Sequence, residues 1–284
     1  MKVSYYPGCS LDGTALEYNE SLESTAKILG IELEELPDWT CCGSSSAHVT
    51  DDKLAVSLAG RNLIIADRIG KDLMVPCSAC FQRLKAAEKA LKSGKSVAGI
   101  DHQYKGKFAI KHSADLIWES CGEKTIASKV KKSLQGLHPV CYYGCLTTRP
   151  PKVTDAENPE DPQSMDEIMK ALGADVKNWS YKTDCCGGNL MLTHPDLAKK
   201  LVKKLFDMAL EAGADCIVVG CPMCQSNLDT RQTEIVQDNG QKYNLPIYYF
   251  TELMGLAYRD KNVGKYLNKH LTEAKALVKQ KGLL

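Results

Sequence analysis

The chain has 284 residues, of which 44% are hydrophobic and 25% charged, and its net charge at pH 7 is +1. This length suits two domains of ordinary size, and so balanced a charge gives no electrostatic footprint for nucleic acid. No apolar stretch approaches about 18 residues, and the N-terminus lacks the apolar core of a signal peptide, so we expect no transmembrane segment and a cytoplasmic protein. In that compartment thirteen cysteines favour metal or redox chemistry over disulfides.

In the first half, short apolar runs alternate with segments that have helical spacing of apolar residues. The runs predict strands over Val3–Tyr6, Ile31–Leu36, Leu73–Val75 and Phe108–Ile110. The periodic segments predict helices over Thr14–Leu29, Asp51–Ile69 and Asp115–Glu119, with a further helix beginning at the CysxxCys of residues 77–80. Strands that alternate with helices indicate a parallel sheet with helices on its faces.

The second half has the same alternation, after a predicted linker near Ser120–Leu137. Strands are predicted over Val140–Tyr143, Asp175–Trp179, Cys216–Val219 and Ile247–Phe250. Helices are predicted over Pro195–Ala212, with Thr193 as a possible N-cap, over Glu252–Tyr258, and over Val263–Lys281 as an added C-terminal helix. We therefore predict an α/β fold of two pseudo-symmetric repeats, with domains at residues 1–136 and 137–284.

One cysteine pattern occurs in both halves. Its three parts are a single cysteine, a CysCysGly and a CysxxCys, at Cys9, Cys41-Cys42-Gly43 and Cys77/Cys80, and again at Cys145, Cys185-Cys186-Gly187 and Cys221/Cys224. Between the second and third parts lie 34 residues in each half. Between the first and second lie 31 and 39, and we expect the extra eight to form a surface loop around Arg149–Gln163.

Each part of the pattern follows a predicted strand. Because ligand sites in parallel sheets gather at the carboxyl ends of the strands, we expect three loops of each half to converge there. Gly43, Gly187 and Gly188 are expected to allow positive φ or a close approach of the backbone. By alternation along their strands, Tyr5, Tyr6, Tyr142 and Tyr143 are expected in the core.

Five thiols in each half are more than a structural zinc site needs. Zinc takes four ligands, usually from two CysxxCys knuckles, and adjacent cysteines fit such a knuckle poorly because their side chains diverge. A thioredoxin-like role for Cys77 and Cys80 would leave three thiols of the same half unexplained. A cluster of several irons can accept divergent thiolates, so the residues favour an iron–sulfur centre in each half.

The pattern closely resembles the cysteine-rich CCG domain, present twice, as in the HdrB-type subunit of heterodisulfide reductases. The strings YYPGCSL and PDWTCCG also resemble that family, and the resemblance covers Lys2 to about Tyr258. It implies two noncubane [4Fe-4S] clusters, one for each half. The ligands that it implies are Cys9, Cys41, Cys42, Cys77 and Cys80 for the first cluster, and Cys145, Cys185, Cys186, Cys221 and Cys224 for the second.

Three cysteines fall outside the pattern. The alignment of the halves pairs Cys9 with Cys145 rather than with the nearby Cys141. Cys121, Cys141 and Cys216 are therefore expected to pack as small apolar residues, as free cysteines commonly do. His48 and His194 follow Cys42 and Cys186 closely, so they are candidates for shuttling protons, although a surface or capping role is the simpler interpretation.

The resemblance implies reduction of a small-molecule disulfide of the CoM-S-S-CoB kind, because two one-electron centres suit a two-electron cleavage. Electrons would come from a ferredoxin-like subunit of the HdrC type, fed by a flavin subunit of the HdrA type. The chain has no GxGxxG run and is not expected to bind flavin itself. Two alternatives stay open: an electron-relay subunit of a related complex, such as one for benzoyl-CoA reduction or sulfur metabolism, and an assembly protein with purely structural clusters.

Overall fold

Two parallel β-sheets, one in each half of the chain, organise the fold. The computed structural model describes residues 1–44, 46–238 and 240–284. The first sheet has the order β2-β1-β3-β4 and the second β5-β6-β7. Their strands are β1 Lys2–Tyr5, β2 Glu32–Glu35, β3 Leu73–Val75, β4 Ile110–His112, β5 Pro139–Tyr142, β6 Cys216–Val219 and β7 Ile247–Tyr249. All pairs of neighbouring strands are parallel, as the alternation predicted.

Helices cover the faces of both sheets. The longer ones are α2 Leu16–Leu29, α4 Asp52–Ile69, α5 Ser78–Lys92, α6 Ser113–Ser128, α8 Ser164–Ala171, α9 Pro195–Glu211, α10 Pro222–Arg231 and α11 Phe250–Tyr258. The short ones are α1 Gly8–Leu11, α3 Ala47–Thr50, α7 Pro151–Thr154, α12 Val263–Tyr266 and α13 Ala274–Gln280. None of the helices in the described part of the chain is long and apolar enough to cross a membrane.

Most predicted elements are present, with small shifts at their ends. Helix α4 begins where Asp51 caps it, since this side chain accepts a hydrogen bond from Leu54 N. His194, rather than Thr193, takes the N-cap position of α9. The predicted linker begins inside α6, which continues through a kink at Gly122 to Ser128.

The predicted strand at Asp175–Trp179 does not form. Asp175 N and Lys177 N donate to Leu137 O and Pro139 O, as a parallel neighbour of β5 would. At the next step the indole Nε1 of Trp179 donates to Cys141 O at 2.9 Å. A side chain thus replaces the backbone donor, and the second sheet has one strand fewer than the first.

The predicted C-terminal helix Val263–Lys281 is also wrong as a single element. The segment forms α12, a short 3-10 turn and α13. Between them, Leu271 N and Thr272 N donate to the carboxylate of Asp229, at 2.7 and 2.8 Å. Because the carboxylate of Asp229 in α10 accepts from both N–H groups, they cannot form the backbone hydrogen bonds of a continuous helix.

The insert around Arg149–Gln163 is more than a surface loop. It contains α7 and contacts the first half, where Asp155 forms ion pairs with Lys85 and Lys89 of α5. Asp161 of the insert pairs with Lys182, whose side chain is 3% exposed. The extra residues therefore connect the second half to the first.

The two halves pack against each other through two pairs of helices. Helix α6 of the first half lies against α8 of the second, and α11 of the second lies against α2 of the first. Ser21 Oγ and Thr251 Oγ1 are 2.7 Å apart across this seam. The rings of Tyr18 and Tyr249 stack there, with centroids 4.2 Å apart. These buried contacts between helices hold the two halves together.

A buried ion pair lies beside the same seam. His270 Nε2 is 2.9 Å from Glu252 Oε1, and both side chains are almost fully buried. Burial lowers the pKa of His270, but the charge and hydrogen bond of Glu252, aided by Asp229 and Glu17, outweigh burial and raise the pKa to about 9.

A raised histidine pKa predicts a stability that depends on pH. The contribution, about 3 kcal/mol, is complete below pH 6.5 and is lost as pH rises through about 9. We expect the free energy of unfolding, measured by anaerobic denaturant titration, to fall over this range by that much more in the wild type than in His270→Gln. Parallel pH profiles of the two proteins would contradict the assignment.

Candidate functional site

The predicted cysteines of the first half lie at the carboxyl edge of the first sheet. Cys9 is in α1, shortly beyond the end of β1. Cys77 is the N-cap of α5, just after β3, and Cys80 is in the first turn of that helix. Cys41 and Cys42 lie in the loop that follows β2. The parallel direction of the strands brings these three segments together.

The second half repeats this arrangement. Cys145 follows β5, and Cys221 is the N-cap of α10, with Cys224 in its first turn. Cys185 and Cys186 precede a 3-10 turn at Gly188–Leu190. The missing strand does not remove this loop from the edge, because Tyr143 N and Gly144 N both donate to Lys182 O.

Equivalent thiols make equivalent contacts in the two halves. Cys42 Sγ lies 3.3 Å from Cys80 Sγ, and Cys186 Sγ lies 3.8 Å from Cys224 Sγ. The backbone N–H groups of Gly43 and Gly187 donate to the sulfur atoms of Cys41 and Cys185, at 3.4 and 3.3 Å. The same pairs of groups are therefore in contact in both halves.

Two tyrosines hold the CysCysGly loops in place. The hydroxyl of Tyr6 donates to Thr40 O at 2.8 Å, and that of Tyr142 donates to Asp184 O at 2.6 Å. Each acceptor is the residue before the cysteine pair. The prediction that Tyr5, Tyr6, Tyr142 and Tyr143 belong to the core is confirmed, since each is at most 2% exposed.

Gly8 and Gly144 leave room for sulfur. Both have positive φ, +70° and +71°. A Cβ at Gly8 would lie 3.0 Å from Cys80 Sγ, and one at Gly144 would lie 2.9 Å from Cys224 Sγ. Any side chain would therefore clash with a thiol. Glycine is needed at these positions both for the positive φ and for the space beside the sulfur.

The thiols divide into a buried set and an exposed set. Cys42, Cys77, Cys80, Cys186, Cys221 and Cys224 are buried, whereas Cys9, Cys41 and Cys185 are exposed and Cys145 is intermediate. Hydrogen bonds from Cys41 and Cys80 hold the pKa of the Cys42 thiol well below its usual range. Each centre would thus have an enclosed side and a side near the surface.

The two cysteine sets meet between the halves. Cys77 and Cys221 start near each other, because the carbonyls of the residues before them, Pro76 and Gly220, lie 3.1 and 3.0 Å from the same atom, His112 Nε2. A small cavity of about 40 Å³ lies at this junction, with a mainly apolar lining that includes Ser78 and Ala79 of the first half and Cys145, Cys186, Cys221 and Cys224 of the second. Ser78 Oγ accepts a hydrogen bond from Thr147 Oγ1 at 2.7 Å.

The donor set fits a centre of several metal atoms. Within the described ranges, no three His, Cys, Asp or Glu side chains converge as ligands of a single metal ion. Two pairs of sulfurs approach each other instead, Cys42 with Cys80 and Cys186 with Cys224, and Gly8 and Gly144 place no Cβ atom against Cys80 and Cys224. Thiolate donors distributed in this way suit an iron–sulfur cluster.

The other candidates differ in exposure. The residues His48 and His194 are both exposed, so their part in proton transfer stays a prediction. Cys141 and Cys216 are fully buried in β5 and β6, as expected for packing, and burial raises the pKa of both. Cys121 is half-buried in α6.

Sequence reasoning missed two buried polar residues at the junction, Tyr18 and His112. Their polar atoms contact the carbonyls of Pro76 and Gly220, the residues that precede Cys77 and Cys221. Tyr18 lies on a predicted helix and His112 just beyond a predicted strand. Only the repeat spacing, which makes Pro76 and Gly220 equivalent, could have pointed to them.

Paired parallel sheets that carry two five-thiol edges define a duplicated cysteine-rich domain. The family model for the CCG cysteine-rich domain matches residues 3–85 and 140–229, and the chain belongs to this family. A protein named 8-methylmenaquinol:fumarate reductase membrane anchor subunit, from Wolinella succinogenes, is 31% identical, with 90% of this chain and 92% of that protein aligned.

A second relative carries a heterodisulfide reductase name. This subunit of the ferredoxin/F(420)H(2)-dependent CoB-CoM heterodisulfide reductase of Methanosarcina acetivorans is 26% identical, and the match covers 90% of this chain and 89% of that one. Among solved structures, a hypothetical protein from Helicobacter pylori superposes with a TM-score of 0.72 at 11% identity. That match covers 96% of this chain and 52% of the other, and it shows the fold alone.

Replacement of Gly144 by alanine tests the contact with sulfur. Gly144→Ala should lower the iron content of the second centre and leave the first loaded, because the new Cβ would lie 2.9 Å from Cys224 Sγ. Gly213→Ala is the matched control, since Gly213 has φ +77° with nothing within 4 Å of a Cβ. Both variants carry a backbone strain of about 1 kcal/mol, so equal iron loss in both would refute the steric argument.

Proposed function

We propose that this chain is the iron–sulfur subunit of a heterodisulfide-reductase-type complex that cleaves a small-molecule disulfide. The observation that carries the proposal is the cavity at which Ser78 and Ala79, from the CysxxCys segment of the first half, meet Cys221 and Cys224 of the second half. Two adjacent one-electron centres suit the balanced reaction, in which a disulfide takes up two electrons and two protons and yields two thiols.

Each half would hold one noncubane [4Fe-4S] cluster. The proposed ligands are the ten cysteines of the repeated pattern, five in each half. When bound, the clusters would supply single electrons and Lewis-acidic iron for the departing sulfur. The chain's own contribution is to keep water from the enclosed side, where Cys77, Cys80, Cys221 and Cys224 are each at most 8% exposed.

The exposed side supports a role for partner subunits. Cys9, Cys41 and Cys185 reach the surface, where an electron donor can approach each centre. We propose that the donor is a ferredoxin-like subunit of the HdrC type, fed by a flavin subunit of the HdrA type, in a cytoplasmic complex. His48 and His194 are on exposed segments that follow the CysCysGly loops and remain the proposed proton donors.

A polar cavity supplies a place for the rest of the substrate. It has a volume of about 1050 Å³, its open mouth included, and is lined by Phe81, Lys85, Lys111, Thr147, Thr148 and Asp161, among others. Thr147 lines this cavity and its partner Ser78 lines the cysteine cavity, so one hydrogen bond separates the two spaces. We propose that a polar arm of the disulfide binds here.

Thr148 offers a test of this subsite. It is 3% exposed, and its Oγ1 has no hydrogen-bond partner in the described part of the protein. Thr148→Val should raise KM for the disulfide about 5–10-fold through the lost hydrogen bond, with stability and iron content unchanged. Thr25→Val is the control, because buried Thr25 lies outside this cavity and its Oγ1 already donates to Ser21 O at 2.8 Å, so its loss should lower Tm and leave KM unchanged. An unchanged KM in Thr148→Val would contradict the subsite.

The whole proposal is tested on the complex purified without oxygen. Iron and acid-labile sulfide should each approach about four for each half, and the reduced protein should release thiols from a coenzyme heterodisulfide while its clusters reoxidise. Cys42→Ser should remove the spectrum of the first centre alone, whereas Cys141→Ala, at a buried cysteine outside the pattern, should keep both. Two zinc ions without sulfide would end the cluster proposal.

An electron-relay role is the second candidate. The specific observation in its favour is the 31% identity to a protein named for a methylmenaquinol:fumarate reductase. In that case the loaded protein would pass electrons to another acceptor and leave the heterodisulfide intact. The same assay separates the two functions by which acceptor is reduced.

A further inference from the structure

A buried bridge joins the two cysteine edges. His112 Nε2 lies 3.1 Å from Pro76 O and 3.0 Å from Gly220 O. The hydroxyl of Tyr18 lies 3.4 Å and 3.1 Å from the same two carbonyls. Both side chains belong to the first half, and they are 2% and 0% exposed.

The two carbonyls are equivalent positions of the repeat. Pro76 follows β3 and Gly220 follows β6, and each directly precedes the first cysteine of a CysxxCys. A peptide unit is planar, so a carbonyl that is held in place also orients the Cα of the residue that follows. The hydrogen bonds to Pro76 O and Gly220 O therefore fix the positions of the Cα atoms of Cys77 and Cys221.

The bridge needs the hydrogen-bond donors of both His112 and Tyr18. A carbonyl oxygen can only accept, so the Nε2 that faces two of them carries the hydrogen. The Tyr18 hydroxyl adds a second donor, and Ser113 Oγ, 3.0 Å away, completes its surroundings. Without these groups two carbonyls would be buried unpaired, which costs free energy unless the loops move apart to admit water.

Glycine at position 220 makes the bridge possible. A Cβ there would lie 2.7 Å from His112 Cε1, so any side chain would displace the imidazole. Phe81, next to Cys80, contacts the ring edge-on, with centroids 6.3 Å apart. The imidazole is thus held between the CysxxCys helix of one half and the strand end of the other.

We propose that His112 and Tyr18 are positioning residues that set the spacing between the two iron–sulfur centres. This inference rests on the proposed function for its consequence, since the spacing governs how the two centres exchange electrons. Neither residue touches the reacting atoms; each acts through the carbonyl before a cysteine.

The test is the magnetic interaction between the centres, measured by electron paramagnetic resonance on the loaded full-length protein. Each centre splits the resonance lines of the other, and this splitting should become smaller in His112→Leu and Tyr18→Phe because the centres move apart. The iron and sulfide contents should stay unchanged. The splitting should be retained in His112→Gln, which keeps a donor. Tyr5→Phe is the matched control, because its hydroxyl bonds Asn19 within one half.

Other outcomes overturn the inference. An unaltered splitting in Tyr18→Phe and His112→Leu would do so, and so would an equal narrowing in Tyr5→Phe, which would indicate a general loss of packing. If His112→Leu fails to fold, Tyr18→Phe carries the test, because it removes one hydroxyl and no ring.

A second measurement separates this inference from the proposed function. If the wild type contains no iron–sulfur centre, the proposed function fails, and mild oxidation of the full chain then tests the bridge. Peptide mapping would give the ratio of the Cys77–Cys221 disulfide to the Cys42–Cys80 disulfide, which forms within one half. This ratio should fall in Tyr18→Phe and not in Tyr5→Phe. An unchanged ratio would overturn the bridge as well.

Discussion

The parallel direction of the strands is the constraint on which the site depends. Because all strands of a parallel sheet end at one edge, three loops from distant parts of the sequence meet there. The thiols need only lie in the segments that follow the strands. Even where one strand is missing, near Asp175–Trp179, backbone bonds to Lys182 O keep the CysCysGly loop at the edge.

The duplication gives two similar edges, and contacts between the halves join them. The insert reaches across to α5 through Asp155, and α2 and α11 exchange partners at the seam. As a result the two thiol sets face one junction instead of two separate surfaces. Two relatives of this chain carry the names of different reductases, so the proposal of a disulfide substrate depends on the adjoining cavities more than on the cysteines.

Much of this arrangement could be predicted from the sequence. Cysteine spacing and apolar periodicity are local signals, and they placed the sheets, the repeat and most thiols at strand ends. The domain boundary and the ligand roles stay predictions. The failures came from side chains that replace backbone partners: Trp179 at Cys141 O, and Asp229 at the break in the C-terminal helix. His112 could not be foreseen because its partners lie in both halves, 36 and 108 residues away.

The bridge also bears on how such a chain can diverge. By strand register, His112 in β4 corresponds to Tyr249 in β7, as Val75 corresponds to Val219. Two identical chains related by a two-fold axis would carry the same residue at both places, and two imidazoles would compete for the same pair of carbonyls. Joining the halves in one polypeptide removes that restriction. One copy can keep a hydrogen-bond donor at the centre while the other becomes an aromatic ring that stacks on Tyr18.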